Sequence, residues 1–374
     1  MYAIGRAGNI EKEILMNGLN NSMNKKLILQ ENEYSIWRHE GIPAEAFTFL
    51  DSISWGNEGA LYEHKNTAEH IRLLHQPTLV SVNEGEKMKG SAVFCNTPIT
   101  AGNASYNCFY IRYFASSKEI RGKGVMKKFG IKVMQAIRED EKEKTIFFAC
   151  IEKGNRASYK TVESAGYRNI GTVKTNGFSR YFPKLNSNIE QVNSAVVKNE
   201  VLGLLKNQYQ EHALTQFNSI FLNSDYYVMR KNGEIVAGCQ FHKVHWVINK
   251  MPGIMGKIVM NVVPLIPILN KLFNPKRFEF LAFEGIYIKP GFENSLTDLF
   301  EGLLAKEKLK SAMYWLGKSC EVRKRILENT KTGLIHSFIK DSDVYIMAAF
   351  HDLNEKEISD VAARPIFVSG FDYI

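Results

Sequence analysis

The sequence predicts an α+β protein built as a tandem repeat, on three observations. The 374 residues exceed one ordinary domain and suit two of modest size. Wholly apolar or alternating segments are interleaved with segments of helical spacing from end to end. The two halves also repeat one order: hairpin, long strand, helix, strand, short helix, glycine, two closing strands. Hydrophobic residues make up 45% and charged residues 23%, which excludes a disordered or collagen-like chain. No run reaches about 18 uninterrupted apolar residues, so no spanning helix is expected.

The elements follow in order. Residues 1–24 are polar and rich in Asn and Met, a loose leader. A short strand at 27–29 opens the first domain, 25–183, and residues 44–76 read as two helices around Trp55-Gly56-Asn57. Segments 78–82 and 90–95 form a hairpin over the turn Glu84-Gly85-Glu86. Segment 108–115 is a long apolar and aromatic strand. Apolar residues at 125, 126, 129, 133, 134 and 137 predict a helix over 125–138. Segment 145–151, almost wholly apolar, is a buried central strand. A short helix at 157–165 ends at Gly166, and strands near 167–174 and 178–182 follow. The polar stretch 183–193 and a helix over 195–217 make a connector, 184–218. The second domain, 219–374, begins with a hairpin of 226–230 and 235–247. Strand 278–288, helix 296–308, strand 312–316, helix 321–328 and closing strands 335–339 and 345–350 complete it. Phe109-Tyr110-Ile111-Arg112 resembles Ile286-Tyr287-Ile288-Lys289 with weak local identity, so the order of elements is the better evidence for the repeat.

Lys plus Arg number 48 and Asp plus Glu 39, and the net charge of +9 favours an anionic partner. Cys95, Cys108, Cys150, Cys239 and Cys320 are widely spaced, odd in number and without a CxxC pair. They read as reduced, mostly buried thiols of a cytoplasmic protein, and no secretory signal is visible at the start.

Glu119-Ile120-Arg121-Gly122-Lys123-Gly124-Val125-Met126 carries the chemical signal. It lies between an apolar strand and an amphipathic helix. Two glycines permit a tight turn, and the first helical N–H groups, at the positive end of the helix dipole, suit a pyrophosphate. Lys118, Arg121, Lys123, Lys127, Lys128 and Lys132 crowd the same stretch against Glu119. The segment is neither a P-loop nor a Rossmann fingerprint. A second motif, Asn155 to Tyr167, follows the next buried strand.

Together the two segments resemble the GCN5-related N-acetyltransferase (GNAT) superfamily. Arg121, Gly124 and Met126 match its Arg/Gln-x-x-Gly-x-Gly/Ala loop, and Asn155, Ser158, Glu163, Gly166 and Tyr167 match its later motif. The resemblance covers about residues 26–183 and, more faintly, 220–374. It implies tandem GNAT-like domains, each a mixed, mostly antiparallel twisted sheet flanked by helices. It further implies acetyl-CoA or another acyl-CoA as co-substrate, bound by Phe114, Ala115, Ser116, Arg121, Gly122, Lys123, Gly124, Val125, Met126 and Asn155. The implied reaction is direct attack of an amine on the thioester, an N-acetyl transfer, with transfer of a longer or lipid-linked acyl or aminoacyl group, or a non-catalytic acyl-CoA-binding role, as rival readings.

Two departures stand out. Met126 replaces the usual small residue, and Val162 stands where many relatives carry a tyrosine acid. Tyr159, one turn earlier, is then the candidate acid, with packing or cofactor contact as its other reading. Glu152, at the end of strand 145–151, is the candidate base, and a solvated strand-end carboxylate is the other reading there. His242 and His245 lie on opposite faces of a strand, so no metal site is expected. Cys150 is a structural thiol. The second half lacks the glycine loop: Pro290 removes a donor and Glu293 repels phosphate, so this copy is read as degenerate. The apolar insertion at 248–275, with three prolines within 251–273, reads as a plug or dimer contact, a lid, or a membrane-surface element. The expected partner is a small-molecule or peptide amine. A homodimer is compatible with the sequence, nucleic acid is not expected, and membrane contact rests on the insertion alone.

Overall fold

Most of the apolar runs become ladder partners in one continuous sheet. The computed structural model describes residues 24–56, 60–222, 225–339 and 342–374, so all but the last residue of the leader 1–24 lies outside the described residues. The N-terminal half contains β1 (Lys25–Glu31), β2 (Tyr34–Glu40), α1 (Ala44–Asp51), β3 (Trp55–Gly56), β4 (Leu61–His64), α2 (Thr67–Arg72), β5 (Pro77–Glu84), β6 (Lys87–Asn96), β7 (Ile99–Ala101), β8 (Ala104–Ser116), α3 (Val125–Asp140), β9 (Thr145–Glu152), α4 (Arg156–Ser164) and β10 (Arg168–Ser179). The C-terminal half contains β11 (Ile189–Gln191), α5 (Ala195–Gln208), β12 (Tyr226–Lys231), β13 (Glu234–Lys250), α6 (Gly253–Asn261), α7 (Pro267–Asn270), β14 (Phe278–Ile288), α8 (Glu293–Lys306), β15 (Ser311–Gly317), α9 (Glu321–Asn329), α10 (Leu334–Ile339), β16 (Asp343–His351) and α11 (Glu355–Ala363).

The main strand order is β1-β2-β5-β6-β8-β9-β16-β10-β15-β14-β13-β12-β11. Two neighbouring pairs on this path are parallel, β8 with β9 and β14 with β15, and each is joined by the helical crossover that parallel strands require. The other pairings are antiparallel, so the sheet is mixed and mostly antiparallel. The closing strands are exchanged. β16 of the second half pairs with β9 of the first, and β10 of the first half pairs with β15 of the second.

The two halves carry the same irregularity at the same place. On β8, Ser91 pairs with Ala115 and Val93 with Arg112, so two residues of β8 oppose one of β6. On β14, Gly238 pairs with Tyr287 and Gln240 with Glu284, the same two-against-one count. The extra residues have positive φ, 48° at Tyr113 and 58° at Gly285. Superposing the bulges aligns Phe109-Tyr110-Ile111-Arg112 with Leu281-Ala282-Phe283-Glu284, not with 286–289. The local identity was misleading, because strands of similar apolar character match in several registers.

Other elements differ from expectation. Segment 335–339 is helix α10, whose apolar residues 335, 338 and 339 have helical spacing. The two helices of 44–76 are present, but between them β3 and β4 form a hairpin. β4 pairs with β13, Trp246 opposite His64. β10 is one strand rather than two, and α5 stops at Gln208. The polar connector contributes β11, which pairs with β12. Helix α11 begins with a capping box of Asn354 and Glu357, a start signal present in the sequence.

Candidate functional site

The site is built by strands that part company. β8 and β9 pair from Asn107 with Thr145 to Ile111 with Ala149, and then the ladder ends. The bulge at Tyr113 turns the end of β8 away, held by a 2.9 Å hydrogen bond from the Ser91 hydroxyl to the Tyr113 carbonyl. β9 continues straight along β16 to Glu152. A cavity of about 820 Å³ opens between them. It runs beneath α3 to Val133 and Met134 on one side, and on the other reaches Trp246, Phe278 and Trp315 of the second half. Helix α4 roofs it and buries no residue fully, because its inner face looks onto open space.

Ser117 N–H donates to the Lys89 carbonyl across the sheet. Alternation then turns Ser116 N–H and the Phe114 carbonyl toward the gap. In the second half Lys289 N–H donates to Val236 in the same way, and the facing groups are visibly engaged. Ile288 N–H donates to the Gln208 side-chain oxygen (3.0 Å) and the Gln208 amide donates to the Ile286 carbonyl (2.8 Å). Tyr209 hydroxyl also donates to Ile286. One side-chain amide thus fills the edge that the first half leaves open. Ala115 lies between, buried.

The loop after β8 differs as much. Residues 117–124 separate β8 from α3, but only 289–292 separate β14 from α8. Gly122 and Gly124 have φ of 80° and 76°, and a Cβ at either would meet nothing within 4 Å. Glycine is needed for the left-handed backbone. Gly124 caps α3 with no side-chain hydrogen bond and no acid in the first turn, which leaves the first N–H groups around Val125 and Met126 to solvent or a ligand. In the second half, Glu293 stands at that place. Its carboxylate accepts from Gly291 N–H and from Arg325 (2.9 Å). Burial works to raise its pKa, and these hydrogen bonds outweigh it and hold it low.

The basic residues divide. Lys128 and Lys132 pair with Glu31, and Glu119 pairs with buried Lys89. Lys118, Lys123 and Lys127 make no ion pair among the described residues, and exposed Arg121 folds back onto the Ser116 carbonyl at 3.3 Å. Met126 does not crowd the loop: its sulfur packs where a Cβ of Gly90 would lie, and its side chain lines the cavity. Asn155 lines the cavity too, with its side-chain oxygen capping α4 through Ser158 N–H at 3.1 Å.

The two expected catalytic groups fare differently. Glu152 lines the cavity and accepts a 2.8 Å hydrogen bond from the Tyr62 hydroxyl. Tyr62 is stacked on Trp246 at 4.9 Å, and burial raises the pKa of its hydroxyl. Tyr159 does not line the cavity. It packs edge-on against Tyr345 of β16, ring centroids 5.8 Å apart, a contact that favours its packing reading over the acid reading. Val162 and Ser158 face the cavity from the same helix. Cys150 also lines it, its thiol 3.3 Å from the Tyr373 hydroxyl and pushed up to about 12 by burial, which leaves it inert.

One cluster left no sign in the sequence. Arg112, buried before the bulge, lies 5.1 Å from the Tyr113 ring and 5.0 Å from the Phe371 ring. It donates to the Ile374 carbonyl at 2.8 Å and sits 3.9 Å from the Asp372 carboxylate. Burial pushes Asp372 up to about 7 against the pull of Arg112. The equivalent Glu284 is bound by His242 (2.8 Å), Gln240 (2.8 Å), Ser219 and Ser369. Both residues grip the segment 369–374, which therefore links the two halves. His242 is thus an internal partner, and among the described residues no three or more His, Cys, Asp or Glu side chains gather in a way that could hold a metal ion.

No protein-family model and no curated protein matches the chain. Solved structures do. Saccharomyces cerevisiae N-myristoyltransferase with bound myristoyl-CoA aligns over 93% of this chain and 92% of its own, with a TM-score of 0.57 and 9% identity. A second structure of that enzyme, with myristoyl-CoA and inhibitors, gives 0.58 at 10% identity over 92% and 89%. The fold is GNAT-like. A GCN5-related N-acetyltransferase from Anabaena variabilis aligns more loosely, with a TM-score of 0.48 and 10% identity over 84% and 72%. At such identities the likeness is one of fold. Among the described residues no helix is long and apolar enough to cross a membrane.

Proposed function

We propose that this chain is an acyl-CoA-dependent N-acyltransferase with one donor site, in the N-terminal half. The observation that carries the reading is the contrast between the copies. The second half fills its strand edge with the Gln208 amide and its helix terminus with the Glu293 carboxylate. An amide and an anion at that spacing are what a pantetheine arm and its pyrophosphate would present. The first half leaves the equivalent places, Phe114 to Ser116 and Arg121 to Met126, facing the cavity and solvent.

In this reading the thioester lies in the gap beyond Ile111. Backbone N–H groups of the unpaired end of β8 stabilise the oxyanion. The amine attacks the carbonyl, the C–N bond forms and the C–S bond breaks. Glu152, oriented by Tyr62, takes the amine proton, and the thiolate leaves with CoA.

The cavity favours a long acyl chain over acetyl. Its branch beneath α3 is lined by Phe94, Phe129, Val133, Met134 and Tyr167, apolar walls deeper than a two-carbon group needs. About 820 Å³ lies at the upper end of ordinary ligand pockets. The test is calorimetric titration with acetyl-, octanoyl- and myristoyl-CoA. Affinity should rise by up to about fourfold for each methylene buried. Equal affinity for acetyl- and myristoyl-CoA would remove the long-chain reading and leave the donor site standing. Absence of binding by all three would remove both.

A further inference from the structure

The insertion of the second half has two faces. It folds as α6, a tight turn at Val263–Leu265, and α7. Val259, Val263, Leu272 and Phe273 are buried in the core, so the plug expected from the sequence describes the inner face. The outer face is apolar as well. Ile254, Ile258 and Val262 recur four residues apart on one stripe, 79%, 43% and 44% exposed, and Leu265 (78%) and Ile266 (40%) continue it. A water-facing helix surface ordinarily carries polar side chains there.

Charge decides what this face fits. Residues 250–277 carry Lys250, Lys257, Lys271, Lys276 and Arg277 and no Asp or Glu. Lys257, one turn from Ile254, stands exposed beside the stripe. Lys257, Lys271 and Lys276 make no ion pair among the described residues. A second copy of the chain is a poor occupant. In a two-fold contact the patch meets itself, and its cations would face their own kind. A bilayer with anionic headgroups answers both features, taking the apolar side chains into the headgroup boundary and the lysines onto lipid phosphates. We propose that this face docks the protein on an anionic membrane surface, without spanning it. Met251, Pro252 and Phe273, at the two ends of the insertion, line the cavity, so the docked face adjoins the cavity wall. The inference stands whether or not the donor-site reading holds.

The test is co-sedimentation of the full chain with phosphatidylcholine vesicles and with mixed phosphatidylcholine–phosphatidylserine vesicles. The protein should bind the mixed vesicles, and raised salt should weaken binding. Ile254→Asp with Leu265→Asp should abolish binding, and Lys257→Gln, Lys271→Gln and Lys276→Gln should each weaken it about fivefold. All these side chains are solvent-facing, so thermal midpoints should match the parent. The proposal fails if the parent binds neither vesicle, if it binds both equally, or if the variants bind as the parent does. It fails also if light scattering shows a dimer that Ile254→Asp with Leu265→Asp splits, for the face would then be a protein interface.

Discussion

Glu152 and Tyr159 show how much a residue's role depends on which way its element faces. By sequence offset both are expected near a bound thioester, but only Glu152 reaches the cavity, because α4 turns Ser158 and Val162 inward and Tyr159 onto Tyr345. Glu152→Gln should lower turnover by about 10²–10⁴ with little change in donor affinity. Tyr159→Phe, which keeps the packed ring, should leave turnover near the parent value; steady-state kinetics beside donor titration separates the two. Asp372 gives a pH prediction. Its folded pKa, about 7, lies above the ordinary 3.8, so its contribution to stability is full below pH 4 and is lost as pH rises toward 7. His64 and His70, held near 3 by burial, act in the opposite sense, losing stability as pH falls below 6.5. Asp372→Asn should therefore gain stability over the parent by an amount that grows from pH 4 to 7, to a few kcal/mol, as thermal melts at each pH would read. The histidine slope would remain in both proteins.

At the scale of elements, the proposed donor site rests on the loop before α3. Gly124 sits at φ 76° with open space above it, so a side chain there is strained by backbone rather than by contact. A β-branched residue is disfavoured in this region by roughly 1–2 kcal/mol. Gly124→Val should weaken acyl-CoA binding tenfold or more. Arg121→Glu, which puts a negative charge beside the expected phosphates, should do so with thermal stability unchanged. Calorimetry on both variants checks the assignment, and parent-like binding by both would move the site elsewhere. The loop was legible because glycines, cations and an amphipathic helix are all local signals. The bulge behind it was not, since Tyr113 is a residue that does not advertise positive φ.

At the scale of the whole molecule, the second half helps to build the cavity of the first. It supplies β16 beside β9, the aromatic wall of Trp246, Phe278 and Trp315, and the segment that Arg112 and Glu284 hold. One acyl-CoA should bind per chain. A calorimetric stoichiometry of two, or a cofactor found beside Glu293, would contradict the self-filled second cleft. Gln208→Ala with Glu293→Ala should destabilise the fold rather than create a second site, because the Arg325 and Ile288 partners would lose their bonds.

Apolar periodicity, the glycine loop and the repeated order of elements were enough to determine an α+β tandem repeat, the positions of most strands and helices, and the place of a tight glycine turn before α3. The elements and the turn depend on residues within about a dozen positions of one another, and the repeat on setting two such local series side by side. The sequence did not decide the exchange of β10 and β16, the pairing of β4 with β13, or the five-residue shift between the copies. These rest on long-range strand pairing, where several registers bury apolar faces equally well until the whole sheet is assembled. Nor did it decide the depth of the cavity, the inward turn of Glu152, or the exposed stripe on α6. A hydrophobic residue reads the same in sequence whether it meets the core, an empty pocket or a lipid surface, and only the packed structure tells these apart.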